Sequence, residues 1–276
     1  MADTPSEPKS EQTSDVSARK KALLLGRRLG LTSEEGYRAS QASIAERAEH
    51  RQRKLDSQYQ ANLEAVYTIA LANTPSEVTG TDLDPDWVHQ FFQLAEQIHN
   101  RKMQELWGRI LAYEITSPGN FSLRTLATLK QLTHKEAQFF EKALAMAVKI
   151  NNESRHKLII GYRYAGGIGK LFRKTDAISI GLSQFGLPYS TILTLIDSGI
   201  LHRSEFETGL LNSKTPISFT LQDIKMTLTP KGGHLLFSYY RLTPVGEELA
   251  QLVRPGADIE YTKAIKALFA KDFIID

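Results

Sequence analysis

The sequence contains no cysteine among its 276 residues. This absence excludes disulfide bonds, thiolate nucleophiles and zinc sites built on cysteine. The chain also has little net charge, formally +3, so the overall balance does not by itself indicate a nucleic-acid binder. No apolar run approaches the roughly 20 residues that a membrane-spanning helix requires. We therefore expect no membrane span.

The segment most similar to a secretory signal, residues 19–26, has an apolar core of only about four residues. A signal peptide needs roughly 7–15 such residues. The hydrophobic content of 41% and the charged content of 24% are ordinary for a soluble globular protein. We expect a cytoplasmic protein.

Shifts in composition divide the chain into successive segments. Residues 1–17 are polar and acidic, which predicts a disordered tail. Residues 18–36 alternate leucine with basic residues and predict a short amphipathic helix, which lies on a membrane surface or a partner, or docks on the protein's own body. We predict a helical domain over 37–152, an α+β domain over 157–256 and a C-terminal helix over 257–276.

Capping signals predict where the helices of the central region begin. The predicted caps are Asp84 followed by Pro85, then Asn100, Ser122, and a capping box of Thr133 with Glu136. Upstream, the absence of glycine and proline from residue 37 to residue 72 predicts one long helix. Leu106, Trp107 and Ile110 have the spacing of a helix with one buried stripe.

The C-terminal half predicts a helix after Leu187 that ends at Gly199. Two strands follow, at about residues 217–229 and 234–242, and the Pro-Lys-Gly-Gly sequence between them predicts a hairpin turn. A helix capped by Thr243 completes a pattern typical of a winged helix-turn-helix. The predicted fold class is therefore mainly α, with an N-terminal helical domain followed by a small α+β winged-helix-like domain.

Three segments carry a resemblance to a known family: ELWGRILAYE at 105–114, SPGNFSLRTL at 117–126 and KEAQF at 135–139. They resemble the core of a bacterial domain of unknown function, over roughly residues 46–145. Within it, the chain is most similar to a family of uncharacterised conserved proteins of gammaproteobacteria. Its order of parts is also similar to abortive-infection alpha proteins, which are linked to defence against phage. The family has no assigned activity, so the resemblance implies no catalytic residues.

Two Glu-x-x-His pairs raise the possibility of metal chemistry. Helical bundles hold two metals with two such pairs and two further carboxylates. The candidate ligands are Glu96 with His99, Glu153 with His156, and Glu64 and Glu141. Chance occurrence on the surface accounts for them better, because the motif fixes only two residue types. We predict no cofactor.

The glycine-rich stretch at 162–170 is not a nucleotide-binding loop. Lys170 is followed by Leu171, and Tyr164 stands where a P-loop has its first glycine.

Two basic clusters are candidate interaction surfaces. The charged half of the long helix carries Arg47, Arg51, Arg53 and Lys54, which predicts a solvated arm that docks an acidic partner. Lys225, Lys231 and Arg241 are candidate phosphate contacts on the wing.

The leading hypothesis is a non-enzymatic protein-interaction or regulatory module with an unidentified protein partner and a defence or stress role. The alternative is a weak nucleic-acid-binding regulator that acts through the winged unit. A bundle metal enzyme is the third hypothesis. The sequence does not indicate an oligomeric state.

Overall fold

A computed structural model describes residues 18–76, 82–166 and 177–276 of the chain. The predicted tail over 1–17 and the Gly-Ile-Gly-Lys part of the glycine-rich stretch lie outside the described residues. The chain divides into two compact units between Ala65 and Val66. Among the described residues, no helix has both the length and the apolar character to cross a bilayer.

The helices of the described residues follow in chain order. They are α1 (Ala18–Arg28), α2 (Ile44–Asn73), α3 (Pro85–Ala95), α4 (Arg101–Thr116), α5 (Leu123–Gln131), α6 (His134–Met146), α7 (Tyr189–Asp197), α8 (Pro244–Ala250) and α9 (Ile259–Phe269). A short 3₁₀ helix covers Leu182–Phe185.

Side-chain caps fix the starts of most of these helices. The predicted caps at Asp84, Asn100, Ser122 and Thr133 are confirmed, and each side chain accepts a hydrogen bond from the first turn that follows it. The predicted start of α2 at residue 37 is wrong. Ser43 and Glu46 form a reciprocal capping box, with Ser43 N–H donating to Glu46 Oε2 at 2.7 Å, so the helix begins at Ile44.

The first unit is held together around Glu34. Its carboxylate accepts from Lys54 Nζ at 2.5 Å and lies 2.8 Å from His50 Nε2. The His50 ring stacks on Tyr37, with centroids 3.7 Å apart. The charge pattern predicts that the first half of α2 is a solvated arm. In the structure, residues 34–37 contact this half of the helix and cover one side of it.

The second unit contains a helical layer with a dense aromatic centre. The centroids of Phe91 and Trp107 lie 5.2 Å apart, and Trp107 is fully buried. Trp87 Nε1 donates to the Phe121 carbonyl at 2.6 Å. The buried carboxylate of Glu114 accepts from the Phe121 N–H at 3.0 Å and also binds the turn before it. The carboxylate thus orders the Ser-Pro-Gly-Asn turn between α4 and α5.

Gly108 allows α4 to lie directly against the C-terminal part of α2. A Cβ at this position would lie 2.5 Å from the Ile69 side chain and 3.0 Å from the Val66 carbonyl oxygen. The Ile69 side chain therefore occupies the space that any larger residue at position 108 would need.

The strands of the second unit form one antiparallel sheet. They are β1 (Val148–Ile150), β2 (Lys157–Tyr164), β3 (Ala177–Ser179), β4 (Phe206–Glu207), β5 (Ile217–Leu221), β6 (Ile224–Pro230), β7 (Leu235–Arg241) and β8 (Phe273–Ile275). The sheet order is β4-β7-β2-β1-β5-β6-β8, and β3 pairs with β2.

The sheet curls around an aromatic core. Strands β5 and β7 are three positions apart, which corresponds to about 14 Å in a flat sheet. The rings of Phe219 and Phe237 are nevertheless 5.1 Å apart, and Phe269 from α9 packs against both. The concave face of the sheet therefore encloses a core shared with α9.

This sheet overturns the predicted fold class. Of the residues that the structure describes, about 50% are helical and 17% lie in strands, with an eight-stranded antiparallel sheet in the C-terminal region. The protein is not a mainly α chain with a small winged helix.

The predicted hairpin between the two C-terminal strands is also wrong. Strand β6 pairs with β5 and β8, whereas β7 pairs with β2 and β4. The single strand predicted over 217–229 is in fact β5 and β6, joined by a turn in which Gln222 has φ of 50°. Pairing between strands distant in sequence outweighed the local turn signal.

We expect the substitution Trp107→Ala to cost about 3–5 kcal/mol, because it leaves a large cavity in a packed centre. Thermal and urea unfolding of the full chain measure the loss. Tyr67→Ala is the control, since that side chain is 54% exposed and its loss should change stability little. An unchanged melting temperature for Trp107→Ala would contradict this account.

Candidate anion-binding site

Strand register places two cations directly opposite each other at one end of the sheet. Lys157 is the first residue of β2 and Arg241 is the last residue of β7, and the two are cross-strand partners. Like charges in this position destabilise an antiparallel pair. Lys157 is only 5% exposed, so solvent screens the repulsion poorly.

The two cations differ in how their charge is satisfied. Lys157 Nζ pairs with the Glu153 carboxylate and lies 5.7 Å from the centroid of the Tyr239 ring. The Glu153 side chain is 61% exposed. Arg241 Nε is buried and has no hydrogen-bond partner within the described residues. A buried donor without a partner costs free energy, and a bound acceptor would recover it.

A pocket of about 560 Å³ opens beside these side chains. Its apolar wall consists of Ile150, Leu211, Ile217, Phe237 and Tyr239. The segment after β4 forms a second wall by running along β7, with Thr208 N–H donating to the Phe237 carbonyl at 3.0 Å. This volume is in the range typical of small-molecule sites.

The charged residues that line the pocket balance, with Lys157 and Arg241 against Glu153 and Glu207. Glu207 makes a two-point pair with Arg163, at 2.5 Å and 2.7 Å, and Arg163 is not among the lining residues. Because Glu207 is engaged outside the pocket, Glu153 is the remaining carboxylate of the lining for Lys157 and Arg241. Burial, together with the nearby Glu153 carboxylate, raises the pKa of Tyr239 above its usual value. The arrangement is suited to holding an anion.

The loop that supplies Glu153 also contacts α8 through His156. His156 N–H donates to Glu247 Oε1 at 2.6 Å, and His156 Nδ1 lies 2.7 Å from Glu247 Oε2. The neighbouring Glu248 accepts from the Ser122 N–H at 2.6 Å. Adjacent carboxylates of α8 therefore tie this loop to the start of α5.

The predicted phosphate contacts are not brought together. Arg241 lies in the pocket, but Lys225 is an exposed residue of β6. Lys231 Nζ donates to the Ala270 carbonyl at 2.7 Å. Sequence reasoning missed Lys157, although a lysine at the head of the apolar run Leu-Ile-Ile was a usable signal.

The basic residues of α2 are in part already engaged. Arg47, Arg51 and Arg53 are exposed, and Arg53 makes a surface pair with Glu49 at 3.1 Å. Lys54 is bound to Glu34. Three of the four predicted docking residues thus remain at the surface.

At least two of the six candidate metal ligands form ion pairs or hydrogen bonds with other side chains. Glu153 pairs with Lys157 and His156 pairs with Glu247. Across residues 18–76, 82–166 and 177–276, no group of three or more histidine, aspartate and glutamate side chains has a geometry that could hold a metal.

A family model described as "Protein of unknown function (DUF2806)" matches residues 46–266. The chain belongs to the DUF2806 family. The predicted resemblance to a domain of unknown function is thereby confirmed. The DUF2806 match includes Lys157, Arg241 and the whole pocket, whereas α1 lies outside it. No curated protein and no solved structure matches the chain.

The Glu153→Gln substitution should destabilise the second unit by about 1.5–3 kcal/mol, because buried Lys157 loses its counter-charge. Lys157→Met should leave the melting temperature unchanged or higher, since it removes one of two opposed cations and keeps the apolar stem. Glu105→Gln, which removes an exposed pair with Arg101, is the control. If Glu153→Gln and Lys157→Met destabilise the protein equally, the Lys157–Glu153 pair contributes to stability alone, and this account of opposed cations is wrong.

Proposed function

We propose that this protein is a non-enzymatic binding module that recognises an anionic group, a phosphate or a carboxylate, between Lys157 and Arg241. The observation that carries the proposal is the buried Arg241 Nε without a hydrogen-bond partner within the described residues, on the strand position opposite a buried lysine. A ligand oxygen would accept from this donor and lower the repulsion between the two cations.

The pocket supports recognition of more than an isolated ion. Its apolar wall extends from Tyr239 to Leu211, which favours a ligand with an uncharged body attached to the anionic group. Arginine is well suited to phosphate and carboxylate oxygens because its donors lie in a fixed plane.

The proposal includes an interaction or regulatory role for the protein. A partner protein would present the anionic group as a phosphorylated side chain, and a metabolite would present it as a free acid. The cytoplasmic location is a further part of the proposal. So is the defence or stress role suggested by the resemblance to abortive-infection alpha proteins.

Nucleic-acid binding is the second candidate, and the presence of Arg241 and Lys157 in one pocket favours it. A nucleic acid would engage further phosphates along the surface, and its affinity would fall steeply with salt. A small anion in the pocket makes only one phosphate contact, so its affinity should depend less steeply on salt.

Isothermal titration of the full chain at constant ionic strength tests the proposal. The ligands are inorganic phosphate, acetate, a phosphoserine peptide with its unmodified counterpart, and a short oligonucleotide. We expect Arg241→Gln to weaken anion binding about 10- to 150-fold, since a charge-assisted hydrogen bond contributes roughly 1.5–3 kcal/mol. Lys157→Met should weaken it as well.

Arg124→Gln is the matched control, because this exposed arginine of α5 lies outside the pocket. A preference for the phosphorylated peptide over free phosphate would identify a protein partner. Anion binding that survives both pocket substitutions would contradict the proposal.

A further inference from the structure

Helix α1 is exposed along its whole length and carries several leucines. None of its residues is buried. The leucines that it and the following turn expose are Leu23 at 51%, Leu24 at 52%, Leu25 at 57%, Leu29 at 48% and Leu31 at 60%. Single exposed leucines are ordinary, but five within nine residues form a patch that water solvates poorly.

The same segment is strongly basic. Its cations are Arg19, Lys20, Lys21, Arg27 and Arg28, and no acidic residue occurs between residues 18 and 33. Residues 18–65 together carry ten lysines and arginines against six acidic residues. Residues 18–33 therefore carry five positive charges and no negative one where the leucines are exposed, whereas residues 1–17 carry four acidic residues and one lysine.

The end of α1 is fixed, although its leucines are not covered. Gly30 has φ of 70° and ends the helix, and Leu31 N–H donates back to the Gly26 carbonyl at 2.8 Å. Lys54 of α2 donates to the Arg27 carbonyl at 2.9 Å. These contacts hold the helix by its C-terminal turn and leave its sides exposed.

We propose that α1 binds reversibly to an anionic lipid surface. Three consecutive leucines, Leu23 to Leu25, spread over more than half of the helix circumference, because each residue advances about 100°. A protein groove covers one narrow face of a helix. The interface of a bilayer accepts leucines over a broad arc, while long lysine and arginine side chains extend to the lipid phosphates.

Charge complementarity selects the kind of lipid. Each basic residue near the surface is attracted by anionic headgroups, and this attraction falls with salt. The exposed Arg47, Arg51 and Arg53 belong to the same compact unit as α1 and add to its positive charge. The acidic partner expected for these arginines is then a lipid surface. This proposal does not depend on the anion pocket of the second unit.

Co-sedimentation of the full chain with vesicles tests the proposal. One set of vesicles contains phosphatidylcholine alone, and the other contains equal parts of phosphatidylcholine and phosphatidylglycerol. We expect binding at least about tenfold tighter to the anionic vesicles, with the difference reduced at high salt. Leu25→Ser with Leu29→Ser should lower binding about tenfold or more. Arg27→Gln with Arg28→Gln should reduce the preference for phosphatidylglycerol, because it removes two of the cations that attract the headgroups.

The controls are Ile259→Ser, at a side chain that is 65% exposed on α9, and Arg124→Gln on α5. Both should bind as the wild type does.

Because every substituted side chain is exposed, circular dichroism should show unchanged folding for all variants. Equal binding to both vesicle types would overturn the proposal, as would full binding by the serine variant. A lipid-free dimer that depends on Leu25 and Leu29, or equal retention of the chain by polyglutamate, would assign the surface to protein instead.

Discussion

The pairing of β2 with β7 is the constraint on which the second unit depends. Lys157 to Tyr164 pair with Leu235 to Arg241 across a bulge at residue 160, and this ladder brings together segments about 75 residues apart in the chain. Gly161 of β2 allows β3 to approach and pair with this strand. Its φ is 154°, and a Cβ there would lie 2.1 Å from the Ile178 carbonyl oxygen. The same ladder sets Lys157 against Arg241, so the candidate site follows directly from the register.

The helical layer could be predicted from the sequence because its signals are local. Caps at Asp84, Asn100, Ser122 and Thr133 act within one turn, and the stripe around Trp107 identifies the buried face. The start of α2 was missed although Ser43 and Glu46 carry a signal of the same kind. The absence of glycine and proline from residue 37 onwards placed the predicted start at that residue instead.

The sheet could not be predicted in the same way, because its information is not local. Nothing in residues 224–241 shows that β6 pairs with β8 and that β7 pairs with β2. The turn at residues 230–233 has the composition of a hairpin but joins strands that are not neighbours. Of the candidate site, Arg241 was predicted as a phosphate contact on a wing, and the structure places it at the end of β7 in the pocket. Lys157 became a candidate only because the structure pairs it with Arg241 on β7.

The position of β8 in the sheet has a consequence for how the chain reaches its fold during synthesis. Phe273 contributes to the aromatic core, and Ile275 pairs with Leu228 on β6. Helices α3 to α6 are stabilised by nearby contacts and can form while the chain is still emerging. The edge of β6 that β8 covers stays unpaired until residues 273–275 can pair, and partners distant in sequence join slowly. During this interval the nascent chain can pair along the open edge of β6 with another chain, which favours aggregation.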